Sequence, residues 1–175
     1  MLEKILSKDM DAAFDDVKNN LSRPGKTSPI GSLSDESRKT FKECHAELKN
    51  FFDTLAGQLN LHANEIRDGM GHWNMSGAVN CHVWGCFSPT EGSKVSGTVP
   101  QLFIIRKPEV IEWGISMSDK AQSDFQMCEA IHGFLVNTDG LKPFLARGFE
   151  LVHESLVEDY PVETSLRKQV VVSSA

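Results

Sequence analysis

The chain has only four cysteines and a single tyrosine in 175 residues, and it carries no long apolar run. Cys44, Cys81, Cys86 and Cys128 are scattered rather than dense. That excludes the disulfide framework of a small secreted scaffold and points to reduced thiols in a cytoplasm. Leu102 to Ile105 and Val170 to Val172 are the longest clear apolar runs, far below the ~20 residues that span a bilayer. Met1 to Asp16 mixes charges with apolar residues and offers no h-region for export. There is no G-x-S-x-G, H-E-x-x-H or G-x-x-x-x-G-K-[ST] string, so nucleophile-elbow, zincin and P-loop chemistry have no foothold. Basic charge is also short. Eighteen Lys and Arg stand against twenty-four Asp and Glu, net −6, which argues against indiscriminate coating of nucleic acid or membrane.

What is present suits one ordinary globular domain: 40% hydrophobic and 24% charged residues, in a chain that buries roughly 70% of its unfolded surface on folding. Leu2, Ile5, Leu6, Met10, Ala13, Phe14, Val17 and Leu21 recur at steps of three and four, predicting a helix over 1–21 that ends near Asn20. Residues 22–34 contain two prolines and two glycines and read as a surface linker. Ser34 is placed to cap a second helix, with Asp35 and Glu36 favourable at its positive end. Its apolar stripe is Phe41, Cys44, Leu48, Phe51, Phe52, Leu55 and Leu59.

From Arg67 the period changes. Residues 67–77 read as a glycine-rich loop with room for a short strand, and 78–87 alternate as one strand. Gln101 to Arg106 and Val110 to Ser116 predict two strands joined by Lys107, Pro108 and Glu109. That connection is too short for a parallel crossover. Ser118 or Asp119 caps a third predicted helix carrying Ala121, Phe125, Cys128, Ile131, His132 and Leu135, broken at Asn137 to Gly140. A short helix and then a strand follow Leu141, and 166–175 read as an edge strand or a frayed tail. The expected fold is α+β: an antiparallel sheet of four to five strands covered by two N-terminal helices and one later helix, with the core in 35–165.

The chemistry-bearing residues make no catalytic or metal pattern. His72, Cys81, His82 and Cys86 lie close in sequence, but alternation sends Cys81 and His82 to opposite faces, leaving His82 and Cys86 to converge where zinc needs four ligands. Cys44 beside His45, and Cys86 near His82, offer only adjacency for a thiolate nucleophile. The paired acids Asp15–Asp16, Asp35–Glu36 and Glu158–Asp159 suit solvated helix faces or ends. No catalytic residue, metal or cofactor is expected.

Local charge is more informative. Residues 67–107 hold four basic side chains, Arg67, Lys94, Arg106 and Lys107, against Asp68 and Glu91, for +2. The remaining 14 basic and 22 acidic residues give −8. Trp73 and Trp84 fall in the same stretch and Trp113 lies six residues beyond it. Basic residues mixed with aromatics are what phosphate contact plus base stacking would require, although Trp on a strand also serves plain packing.

Three strings carry a family resemblance: Trp84-Gly85-Cys86-Phe87, Pro100-Gln101-Leu102-Phe103 and Ile111-Glu112-Trp113-Gly114. The segment Val83 to Ala121 resembles N-terminal regions of restriction ATPases related to McrB. The resemblance implies a module that reads DNA, including a modified base, beside an ATPase domain and a nuclease subunit. It further implies that Lys94, Arg106 and Lys107 meet phosphates while Trp73 or Trp84 stacks on an extruded base; local charge adds Arg67 to the expected nucleic-acid-binding residues. The acidic net charge, and the lone Lys in Ser88 to Val99, depart from that pattern. The alternative expectation is a protein interaction or assembly module, a homo-oligomer included, indifferent to nucleic acid.

Overall fold

The computed structural model describes residues 2–21, 28–58, 67–70, 78–88, 101–118, 133–136, 138–154 and 163–172. Two helices come first. Helix α1 (Lys8–Asn19) buries Met10, Ala13, Phe14 and Val17 along one face, the stripe its three- and four-residue steps dictate. The turns before it are held by Glu47, whose carboxylate accepts the Lys4 N–H at 2.8 Å and the Ile5 N–H at 3.1 Å. Helix α2 (Asp35–Gln58) starts where expected: the Ser37 N–H donates to Ser34 Oγ at 3.1 Å, satisfying one donor that a helix N-terminus leaves open. Phe41, Cys44, Leu48 and Phe52 are buried on α2, and the Phe14 and Phe41 rings meet edge to face at 5.9 Å. Each such large side chain contributes about 1.5–3 kcal/mol on burial.

The linker is more structured than its prolines suggest. Within it, Ser28–Pro29 forms β1, paired with β3 (Ala78–Val79), and Ile30–Ser32 makes a 3-10 turn. Ser28 is buried because its hydroxyl donates to the Val17 carbonyl at 2.6 Å, fastening the segment to the end of α1.

The main sheet is antiparallel and has six strands, in the order β2 (Arg67–Met70), β4 (Val83–Ser88), β5 (Gln101–Arg106), β6 (Val110–Ser118), β8 (Glu163–Val171), β7 (Glu150–Glu154). The expected α+β architecture is present, with two N-terminal helices and a later helix, α3 (Thr138–Leu145). Three expectations are corrected. The strand foreseen over 78–87 is broken at Asn80 to His82 into β3 and β4, which join different sheets. Asn137 to Gly140 does not simply end a helix, since α3 begins at Thr138. The segment from Leu166 to Val171 is neither edge nor tail, because β8 lies between β6 and β7. Most of the predicted third helix lies outside the described residues; 133–136 are helical.

The sheet has two distinct faces. Val83, Ile104 and Ile111 join the α1–α2 core, while Met117 and Leu166 pack with Leu135 and Leu141. On the opposite face Cys86, Phe103 and Ile105 are buried beside Trp84, a cluster that contains no helix residue among those described.

Candidate nucleic-acid interface

Register fixes which side chains share the face away from the helices. Trp84, Ile105, Glu112 and Gln169 form one row across β4, β5, β6 and β8; Cys86, Phe103, Gly114 and Arg167 form the next; Gln101, Ser116 and Ser165 the third. Trp84 is half-buried at the end of the first row.

The expected phosphate contacts are not arranged as foreseen. Arg106 is fully buried and belongs to the core. It points to the helix side, where its Nε donates to the Ile5 carbonyl at 3.1 Å, its Nη2 pairs with Asp11, and its guanidinium stands 5.6 Å from the Phe14 ring centre. A guanidinium so enclosed cannot meet a phosphate. Lys107 is 30% exposed, and its Nζ lies 2.9 Å from Glu112 Oε1. Hence two of the four cations counted in 67–107 are paired with carboxylates from outside that stretch. The local +2 is a property of the sequence window, and Asp11 and Glu112 offset it in space. Arg67 lies on β2 opposite Ser88; its side chain, and all of Trp73 and Lys94, lie outside the described residues.

What sequence reasoning missed is a buried polar network. Glu112, 2% exposed, accepts from Lys107 and from Gln169 Nε2 at 2.8 Å, and its Oε2 is 3.5 Å from Arg167 Nη1. Arg167 also pairs with Glu154. Glu112 Oε2, Arg167 Nε and Nη1, and the hydroxyls of Ser116 and Ser165 make no hydrogen bond within the chain, an unusual concentration of unsatisfied polar atoms in one interior patch. A lone acid flanked by Ile111 and Trp113 in an apolar strand was the signal available.

The Cys44 and Cys81 thiols are not poised for nucleophilic attack. Burial pushes the Cys44 thiol up to about 12, and burial likewise raises Cys81, whereas an attacking thiolate needs a lowered value. His82 and Cys86 are brought into no cluster of three or more metal-ligating side chains among the described residues. No helix among those residues is long and apolar enough to cross a membrane. Comparison of the chain with protein-family models and with curated proteins found no match.

Proposed function

We propose that the chain is a recognition module of a restriction or defence system, reading DNA and including a modified base, with no chemistry of its own. The observation that carries this reading is contiguity. The strings at Trp84, Gln101 and Ile111 stand on β4, β5 and β6, three adjacent strands, so the features that resemble McrB-related N-terminal regions lie side by side in one part of the sheet. The half-buried Trp84 indole lies on the side of the sheet opposite α1 and α2, and in this reading supplies the stacking platform. An ATPase domain and a nuclease subunit, acting in the cytoplasm, would be its partners in this reading.

Because Arg106 and Lys107 are committed to Asp11 and Glu112, phosphate contact falls to Arg67 and Lys94. Binding should therefore be weakly electrostatic, with log K falling against log salt at a slope of about −1 to −2. Fluorescence anisotropy with plain, 5-methylcytosine and 5-hydroxymethylcytosine duplexes checks this, with Trp84→Ala expected to weaken binding by about 1–3 kcal/mol if the indole stacks on a base. Absence of binding to all three duplexes at 20 mM salt, on the order of a tenth of physiological ionic strength, would remove the reading.

A second reading, an assembly module, is favoured by the exposed apolar side chains Phe51, Leu145, Leu151, Val170 and Val171. It predicts a concentration-dependent oligomer in light scattering that is unchanged by added oligonucleotide.

A further inference from the structure

An open cleft of about 280 Å³ lies between α2, the helix side of the sheet and the segment joining α3 to β7. Phe51 and Leu55 of α2, Leu102 and Trp113 of the sheet, and Phe144 and Phe149 form most of its described wall, which includes no polar side chain among the described residues. Ligand sites of this kind combine an apolar body with a few polar groups that fix orientation, so the mouth decides what fits.

Beside this wall stands one cation. Lys168 is the register partner of Trp113. Its Nζ lies 5.9 Å from the centre of the Phe149 ring and donates to the Arg147 carbonyl at 2.7 Å, which draws the ammonium towards the Phe149 side of the cleft. Lys168 has no carboxylate partner among the described residues. Glu150, next to Phe149 in the chain, is paired in register with Arg167 and so belongs to the other face.

The geometry points to a binding site for a small amphipathic carboxylate, its apolar body in the cleft and its head group at Lys168. A dry cavity of ~150 Å³ takes benzene, so the volume here suits a body of about ten heavy atoms, the size of a medium-chain acid. Burial of the apolar body supplies the attraction and the Lys168 ammonium selects the anion. This inference is independent of any role in DNA recognition.

Titration calorimetry with octanoate, 1-octanol and acetate tests it on the unaltered chain. Octanoate is expected to bind with Kd below about 1 mM, 1-octanol more weakly, and acetate not measurably. Lys168→Gln changes a half-exposed side chain and should weaken octanoate about fivefold, within the range of a surface charge contact, while leaving 1-octanol unchanged. Leu55→Trp fills the cleft and should abolish both, with cooperative unfolding confirming that the variant folds; if it does not fold, the Lys168→Gln comparison decides alone. Failure of octanoate to bind, acetate binding as tightly as octanoate, or octanoate affinity that survives either substitution would each overturn the site.

Discussion

Gly114 shows how much one residue can be asked to do. A Cβ built there would sit 2.0 Å from the Leu166 carbonyl oxygen and 2.8 Å from the Arg167 Cα. Both obstacles are backbone, so they cannot swing aside as a side-chain tip would. Gly114→Ala is therefore expected to pry β6 from β8 and cost about 2–3 kcal/mol, at the upper end of overpacking, read as a lowered denaturant midpoint. A loss under ~0.5 kcal/mol, the range of ordinary surface substitutions, would show that the strands close without it. The glycine in Ile111-Glu112-Trp113-Gly114 thus has a packing reason that does not depend on what the surface recognises. Arg106 carries the same lesson for charge. In sequence it sits in a positive window; in space its partner is Asp11, ninety-five positions away. Pairing across that separation leaves no trace in local composition, and this is why phosphate contact was assigned to a core residue.

Among the elements, those governed by nearby residues were legible. The stripe and Ser34 cap predict α2, and the three-residue turn predicts the β5–β6 hairpin, in which the Lys107 N–H donates to the Val110 carbonyl at 2.9 Å. Clamps between elements were not legible. Asp16 on α1 accepts the Ser34 N–H at 2.9 Å and Asn20 Nδ2 at 2.9 Å. Hydrogen bonding from the Ser37 side chain and then from the Ser34 backbone holds its carboxyl below its ordinary 3.8. Glu43 is also held low, by the hydrogen bond from Lys4, and Lys4 is raised above 10.5 by the same contact. The signs follow from linkage. A depressed carboxylate stabilises the fold fully above its unfolded value and loses that contribution as pH falls through the lower folded value. A raised lysine contributes below 10.5 and loses its contribution at higher pH. The seam between α1 and α2 is thus strongest between these limits and weakens below about pH 4. Asp16→Asn should cost about 1 kcal/mol at pH 7, the worth of a lost cap acceptor, and should flatten the acid limb of a Tm-against-pH curve. An unchanged acid limb would assign that limb to other carboxylates.

At the scale of the molecule, the decisive contact is the latest in the chain. β8 pairs with all nine residues of β6 and all five of β7, so this late strand lies inside the sheet and joins β7 to the rest of it. Its sequence shows little of this. Val170 and Val171 are exposed, and a terminal run of valines resembles an edge as readily as a centre. What buries Leu166 and Arg167 is pairing with a strand some fifty positions earlier. Removing residues 163–175 would leave β6 with a bare nine-residue edge beside Ile111, Ile115 and Met117 and detach β7, whose sheet partner among the described residues is β8 alone. Glu112 would lose Arg167 and Gln169 together, leaving a buried acid held by Lys107 alone, a loss on the order of 3–5 kcal/mol from the charge. That approaches the whole stability of a small domain, ~5–15 kcal/mol, before any loss of apolar burial is counted. A chain of residues 1–162 should accordingly show no cooperative transition in urea by circular dichroism. A sharp transition with an m-value reduced only in proportion to length would mean that α1, α2 and β2 to β6 fold as an independent unit and that β8 is an addition to it.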